Sequence, residues 1–236
     1  MKGAKVMIVN EHLFTDMRAL KTALTEALLA ALSKAISIKG HAVMALPGGT
    51  TPVPLFKALA KKKFNWCNVT ITLTDERWVK NTHENSNEGL LQTHLLDYCN
   101  AVFVPLKNDA STAKEGQRIT EQKLSRIIYP MDICIVGMGE DGHIASIFPD
   151  SPQRESAIDQ HNDQHCIAIS RANSPQERLS LTLNTLINTH KIILLIQGDQ
   201  KRKVYLKAKD SIENTDSPIG QMLHQSQAPI DVYWTA

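Results

Sequence analysis

Ile135-Val136-Gly137-Met138-Gly139-Glu140-Asp141-Gly142-His143-Ile144-Ala145-Ser146-Ile147-Phe148-Pro149 is the stretch around which the chain is organised. The apolar run Ile133 to Val136 reads as a buried strand. It stops at Gly137, Gly139 and Gly142, where glycine lets the backbone turn sharply at little steric cost. The turn carries an acid, Asp141, and a histidine, His143. A parallel α/β sheet binds its ligands outside the carboxyl ends of its strands, so Asp141 and His143 would stand at such an end. Taken alone, Asp-Gly-His reads as a surface turn with a solvated acid and histidine. Two further segments make it a candidate site.

The glycine spacing matches Gly-x-Gly-x-x-Gly, the pattern of a dinucleotide loop. Its continuation does not: His143-Ile144-Ala145 and then Phe148-Pro149 follow, not a long regular helix.

The chain has 236 residues, of which 42% are hydrophobic, so it can bury a sizeable core and is not a disordered chain. A formal net charge of +2 gives no case for a general nucleic-acid surface, and any anion site must be local. Cys67, Cys99, Cys134 and Cys166 are scattered, without close metal-type spacing. Cys134 sits in an apolar run as a small core residue. A reducing, cytoplasmic compartment fits this usage. The first residues show no signal-peptide core, and no apolar run is long enough to span a bilayer.

Outward from the central stretch, strands alternate with helices. Lys5 to Val9 is a short strand candidate. Thr15 or Asp16 caps a helix running to about Lys39, with Leu20, Leu24, Leu28, Leu32 and Ile36 as one apolar stripe and Gly40 as its stop. His41 to Leu46 is the next strand. It ends in Pro47-Gly48-Gly49-Thr50-Thr51-Pro52, and a helix follows from Val53 to about Lys61. Strand, glycine turn, hydroxyls and helix can hold a phosphate: N–H groups at a helix start point at the anion, and threonine hydroxyls add donors. The alternative is a plain capped turn. No Gly-Lys-Ser/Thr is present, so this is not a nucleotide P-loop.

Val69 to Leu73 alternates as a strand and leads into Thr74-Asp75-Glu76-Arg77-Trp78-Val79, either a solvated loop or a site. Arg77 offers a planar donor fork suited to phosphate, and Asp75 can accept a proton or a sugar hydroxyl. Asn85-Ser86-Asn87 precedes a helix from Glu88 to Leu96, capped by Ser86 or Asn87.

Pro-Gly-Gly-Thr-Thr-Pro, Thr-Asp-Glu-Arg-Trp-Val, Ser-Asn-Glu-Gly-Leu-Leu and Gly-Met-Gly-Glu-Asp-Gly-His-Ile-Ala-Ser-Ile-Phe-Pro occur in this order. As a set they resemble the 6-phosphogluconolactonase family, which shares a fold with the glucosamine-6-phosphate deaminases. The resemblance covers nearly the whole chain.

Further on, Ala101 to Leu106 is a strand and Ser111 to about Ile127 an amphipathic helix. Asp150 to Gln164 is hydrophilic and reads as a mobile connection. Cys166 to Ile169 is a strand. Arg178 to Leu183 alternates, with Leu179, Leu181 and Leu183 facing inward, and Asn184 can cap a short helix. Lys191 to Gln197 is a strongly apolar strand, and Gly198-Asp199-Gln200-Lys201 opens a helix to about Lys209. Pro218 to His224 is a last helix, and Ile230 to Trp234 an edge or terminal strand. The expected architecture is a single α/β domain over residues 1–236. Its sheet would be mainly parallel, doubly wound and Rossmann-like, with helices on both faces.

The resemblance implies hydrolysis of 6-phosphogluconolactone to 6-phosphogluconate in the oxidative pentose phosphate pathway, a carboxylic ester hydrolase reaction. It implies that Arg178 faces the active site and that Lys201 reaches the substrate phosphate. Gly48, Gly49, Thr50, Thr51, Arg77, Arg178 and Lys201 would then bind the phosphorylated substrate. Asp75, Asp141 and His143 would work at the far end of the sugar, with His143 as acid–base group and Asp141 orienting the imidazole or placing the lactone. Histidine titrates near neutrality, as the task requires. No zinc ligand cluster stands out, and neither metal nor cofactor is called for. The expected partner is the small sugar-phosphate lactone alone, without nucleic acid or membrane, and the chain would be a monomer or weak homodimer. The close alternative is the deaminase, whose loop reads Asp-Gly-His-Ile-Ala-Phe-Asn-Glu-Pro. Here Phe148 stands in place of the glutamate and cannot relay a proton. A second alternative is a non-catalytic sugar-phosphate sensor.

Overall fold

The computed structural model describes residues 9–171, 174, 176–210 and 217–236. In chain order the elements are β1 (Val9–Phe14), α1 (Met17–Lys39), β2 (Ala42–Leu46), α2 (Val53–Ala60), β3 (Val69–Leu73), β4 (Asp75–Arg77), α3 (Asn87–His94) and β5 (Val102–Val104). They continue with α4 (Ala113–Leu124), β6 (Ile133–Val136), α5 (Arg154–Ile158), β7 (Cys166–Ile169), β8 (Arg178–Leu181) and α6 (Leu183–Ile187). The chain closes with β9 (Ile192–Gln197), α7 (Asp199–Asp210), α8 (Pro218–Leu223) and β10 (Ile230–Thr235).

Seven strands form one parallel sheet in the order β1-β10-β9-β6-β2-β3-β5. Every residue of β2 and β6 is buried, as a parallel strand covered on both faces requires. The two edge strands are wetter: β1 exposes Leu13, and β5 exposes Val102. Helix α1 starts at Asp16, whose carboxylate accepts from the Ala19 N–H at 2.8 Å. Its Leu20, Leu24, Leu28 and Leu32 are buried against the sheet, and Ile36 packs on the core's margin. Helices α1 and α2 pack on each other, as do α7 and α8. Right-handed crossovers running in opposite directions along the sheet put these two pairs on opposite faces.

The direction of winding reverses between β2 and β6. From β2 the chain proceeds to β3 and β5 on one side; from β6 it proceeds to β9 and β10 on the other. Ligands bind at such a reversal, outside the carboxyl ends. The loops that leave β2 and β6 there are the two glycine-rich turns.

A second, antiparallel sheet, β4-β8-β7, stands beside the first. It pairs Asp75 with Ser180, Glu76 with Leu179 and Arg77 with Arg178.

Several sequence expectations need correction. Thr74 to Val79 is not a loop, since its Asp75–Arg77 segment is a strand of the second sheet. Asp150 to Gln164 is tied down: it contains α5, buries Ser151 and Ala157, and Gln153 bonds to Ser170. The helix after β8 begins at Leu183, so Leu183 is helical, and Thr182 rather than Asn184 caps it by accepting from the Thr185 N–H. Strand β10 is interior, between β1 and β9, because the first strand of the chain takes the edge. Of the strand expected at Lys5 to Val9, residues 5–8 lie outside the described residues, and β1 runs on from Val9 to Phe14.

Candidate active site

At the carboxyl ends of the strands lies a cavity of about 260 Å³. The β2 loop supplies Gly48, Gly49, Thr50 and Thr51, the β4–β8 pair supplies Asp75, Arg77 and Arg178, the β6 loop supplies His143, and α7 supplies Lys201. All the expected site residues therefore meet at one place except Asp141, which does not line the cavity and sits behind His143.

Asp141 Oδ1 lies 2.5 Å from His143 Nδ1 and accepts from the His143 N–H at 3.2 Å. Burial alone would raise the Asp141 carboxyl. The charge of His143 and the hydrogen bonds from its ring and backbone outweigh burial and hold Asp141 below the usual carboxylate range. An ionised carboxylate only accepts, so the ring faces Asp141 with Nδ1 as donor, and in a neutral imidazole so oriented the lone pair is on Nε2. The ring also packs on Phe148, with centroids 4.5 Å apart.

This placement needs glycine at 139. A Cβ there would stand 2.1 Å from His143 Nδ1. The turn is closed by bonds from the Gly139 N–H to His143 O and from the Gly142 N–H to Gly139 O. Ala145 has φ 48°, unusual for a residue with a side chain. After it, Ser146 is turned inward and fully buried, and its hydroxyl donates to Asp75 Oδ2 at 2.5 Å. Thr74 donates to the other Asp75 oxygen at 3.2 Å. Asp75 is thereby fixed at the cavity wall, 7% exposed.

Arg77 and Arg178 face each other across the β4–β8 ladder, an arrangement that costs stability unless an anion lies between them. Burial, then the charge of Arg77, pushes the Arg178 guanidinium below its usual value, while Asp75 opposes the shift. The Nε atoms of both arginines are buried without a hydrogen-bond partner. Such groups collect at functional sites. Arg77 is braced by a bond from Nη1 to Asn85 O at 2.7 Å. With Lys201, these side chains give the cavity an excess of positive charge over Asp75.

Helix α2 opens onto the same cavity. Side chains cap α1, α3, α4, α6 and α8, but none caps α2 or α5. At the start of α2 the Val53 N–H donates to Thr50 O at 3.2 Å and Pro54 has no N–H, so what this side of the cavity offers an anion is chiefly Thr50 and Thr51, which line it. Pro52 occupies the N-cap position, and Pro54 stands in the first turn. Beneath the loop, Asn87 presses on Gly48 so closely that a Cβ at Gly48 would meet the Asn87 amide. Asn87 is held by its side-chain Nδ2, which donates to Asp75 O at 2.8 Å, and by its backbone N–H, which donates to Glu76 Oε1 at 2.8 Å. Glu76 also accepts from the N–H groups of Arg77 and Glu88 and from the Ser86 hydroxyl. Burial pushes its carboxyl up to about 7, against the pull of those N–H donors.

Sequence reading missed Ser146, Glu76 and Asn87 as supports of the site. The sequence signal was present in each case, since all three lie inside the quoted motifs. Among the described residues, no group of three His, Cys, Asp or Glu side chains is arranged to hold a metal ion.

Residues 15–234 match the sequence model of the family described as glucosamine-6-phosphate isomerases/6-phosphogluconolactonase. The 6-phosphogluconolactonase of Rhizobium meliloti is 34% identical over 230 residues, covering 97% of this chain and 99% of that protein. That of Pseudomonas putida is 36% identical over 228 residues, covering 96% and 93%. The crystal structure of a 6-phosphogluconolactonase from Shewanella baltica superposes with a TM-score of 0.91 at 36% identity, over 99% of each chain. On sequence, fold and the arrangement of its strand-end loops, this chain belongs to the glucosamine-6-phosphate isomerase/6-phosphogluconolactonase family.

Proposed function

We propose that the chain hydrolyses 6-phospho-D-glucono-1,5-lactone to 6-phosphogluconate, the lactonase step of the oxidative pentose phosphate pathway, with His143 as the acid–base group. The observation that carries this reading is His143, backed by Asp141, lining a cavity that Arg77, Arg178 and Lys201 also line. The cations, with Thr50 and Thr51, hold the phosphate at one end, so the lactone carbonyl is presented to His143 at the other. Nε2 takes a proton from water as the water oxygen bonds to the carbonyl carbon. The tetrahedral intermediate then collapses, the bond to the ring oxygen breaks, and the imidazolium returns the proton to that oxygen. Asp141 keeps the required tautomer and offsets the charge that forms on the ring. Asp75, held by Ser146 and Thr74, is placed to accept a substrate hydroxyl. Lactones are reactive esters, so positioning with one acid–base group is enough.

Phe148 favours the lactonase over the deaminase. It is 3% exposed, packed under the imidazole, and offers no proton. Supplying the purified protein with the phosphorylated lactone and with glucosamine 6-phosphate tests this. Lactone opening without ammonia release is expected; efficient ammonia release would reverse the assignment, and binding of both without turnover would favour a sensor.

The same reading takes residues 1–236 as one α/β domain acting as a monomer or weak homodimer, with neither nucleic acid nor membrane as partner. One chain supplies every side chain of the site described above, which supports it. The four cysteines are unpaired thiols, which supports a reducing, cytoplasmic setting.

A further inference from the structure

The Asp141 carboxylate is held from two sides. Its Oδ1 meets the ring and backbone nitrogens of His143. Its Oδ2 lies 3.6 Å from Nη2 of Arg171, in the strand-end segment after β7. Arg171 is itself fixed. Its Nε donates to Asp150 Oδ2 at 3.0 Å, and its guanidinium carbon lies 4.6 Å from the centre of the Phe148 ring. The same Phe148 ring packs on the His143 imidazole and carries Arg178 at 5.1 Å.

We propose that Arg171 is a positioning residue for the Asp141–His143 pair, seated on Phe148 and anchored by Asp150. The proposal rests on His143 being the base. A carboxylate held by one oxygen can rotate about its last bond and carry the imidazole with it. A cation on the second oxygen removes that freedom. Arginine suits the position because its edge can pair with two carboxylates while its face lies on an aromatic ring. Lysine, a point charge, can make only part of this set. Arg171 is not among the residues lining the cavity, and both its partners are acids, so it is not one more phosphate donor. The Arg171 and Asp141 side chains are 32% and 37% exposed, and ion pairs of that exposure add little to stability. Removing Arg171 should therefore leave the fold intact and act on the rate. Phe148 thus has a use in this chain beyond the absence of the deaminase glutamate: it carries two guanidinium groups and the imidazole on one ring.

The test compares wild type with Arg171→Ala, Arg171→Lys, Asp150→Ala and His143→Ala. It reads kcat and KM on the phosphorylated lactone, KM on the unphosphorylated one, and the downfield proton resonance of His143 Nδ1. Arg171→Ala should lower kcat by about ten- to a hundred-fold with KM little changed, because small misplacements of a reacting group cost rates of that order. The Nδ1 resonance should broaden or vanish with it. Arg171→Lys should recover part of the rate, and Asp150→Ala should shift kcat in the same direction by less. Normal kcat in Arg171→Ala, or a reduced kcat with the Nδ1 resonance unchanged, overturns the proposal. A KM increase confined to the phosphorylated lactone also overturns it, by making Arg171 a phosphate ligand. Should Arg171→Ala fail to fold, Asp150→Ala decides by the same readouts. Full activity in His143→Ala removes the base itself, whereas a slow His143→Ala beside a normal Arg171→Ala removes only the role of Arg171.

Discussion

Gly139 lies against the His143 ring, and a Cβ on Gly139 would stand 2.1 Å from Nδ1 and 2.5 Å from Asp141 Oδ1. The Asp141–His143 pair, the proposed acid–base unit, occupies the space that any side chain at 139 would need. Gly139→Ala should displace both groups and lower kcat by about a hundred-fold, the scale of a 1 Å misplacement. Circular dichroism should show an unchanged fold. A normal rate in this variant would mean that the imidazole works from some other position.

His143→Ala should remove about 10²–10⁴-fold of the catalysed rate, the usual worth of a positioned acid–base group. Asp141→Asn should cost less, since the amide can still touch Nδ1 but no longer supplies a charge. Because the two act as a unit, the double variant should be hardly slower than His143→Ala alone. Additive losses in kcat would show that Asp141 acts independently, on the lactone.

Arg77→Ala, Arg178→Ala and Lys201→Ala should each weaken use of the phosphorylated lactone by about ten- to a hundred-fold. This follows from roughly 1.5–3 kcal/mol for a charge-assisted hydrogen bond and about 1.4 kcal/mol per decade. The unphosphorylated lactone should be nearly unaffected. The measurement is the ratio of kcat/KM for the two substrates in each variant. Equal losses on both would place these side chains in catalysis or folding instead.

Glu76 should leave a mark on the pH dependence of stability. Its folded pKa of about 7 lies above the ordinary value of 4.5, so the native state holds the proton more tightly than the unfolded chain. That contribution is complete below the ordinary value and is lost as pH rises through the folded one. Unfolding free energy from urea titrations should fall between about pH 5 and 7.5 relative to Glu76→Gln, whose amide does not titrate. A difference that stays flat or rises through this window would show that the donors from α3 keep Glu76 ionised throughout.

Reading the residues alone went far because the site is built from short continuous motifs at strand ends. Alternating apolar strands and amphipathic helices are local patterns, so the parallel α/β architecture was legible from them. So were the two glycine turns and the acid–histidine spacing, since glycine at a strand end and His143 two residues after Asp141 carry their meaning within a few positions. Phe148 in place of a glutamate separated the two activities of the family on one side chain.

What tertiary structure decided is what depends on pairing between distant segments. Asp75–Arg77 is too short and too charged to show a strand period, and it becomes a strand only because β8 offers it a ladder more than a hundred residues away. That ladder sets Arg77 opposite Arg178, the pairing on which the proposed anion site rests. Asp141 could have faced the lactone or the imidazole on sequence grounds; the backbone turn at Gly139 and Gly142 puts it behind the ring. Ser146 and Glu76 lie inside the quoted motifs, but nothing local in the sequence pairs Ser146 with Asp75, Glu76 with the start of α3, or Arg171 with Phe148. Each is a polar or charged group whose partner is chosen by how separate loops meet at one edge of the sheet, and chain order carries no record of that meeting.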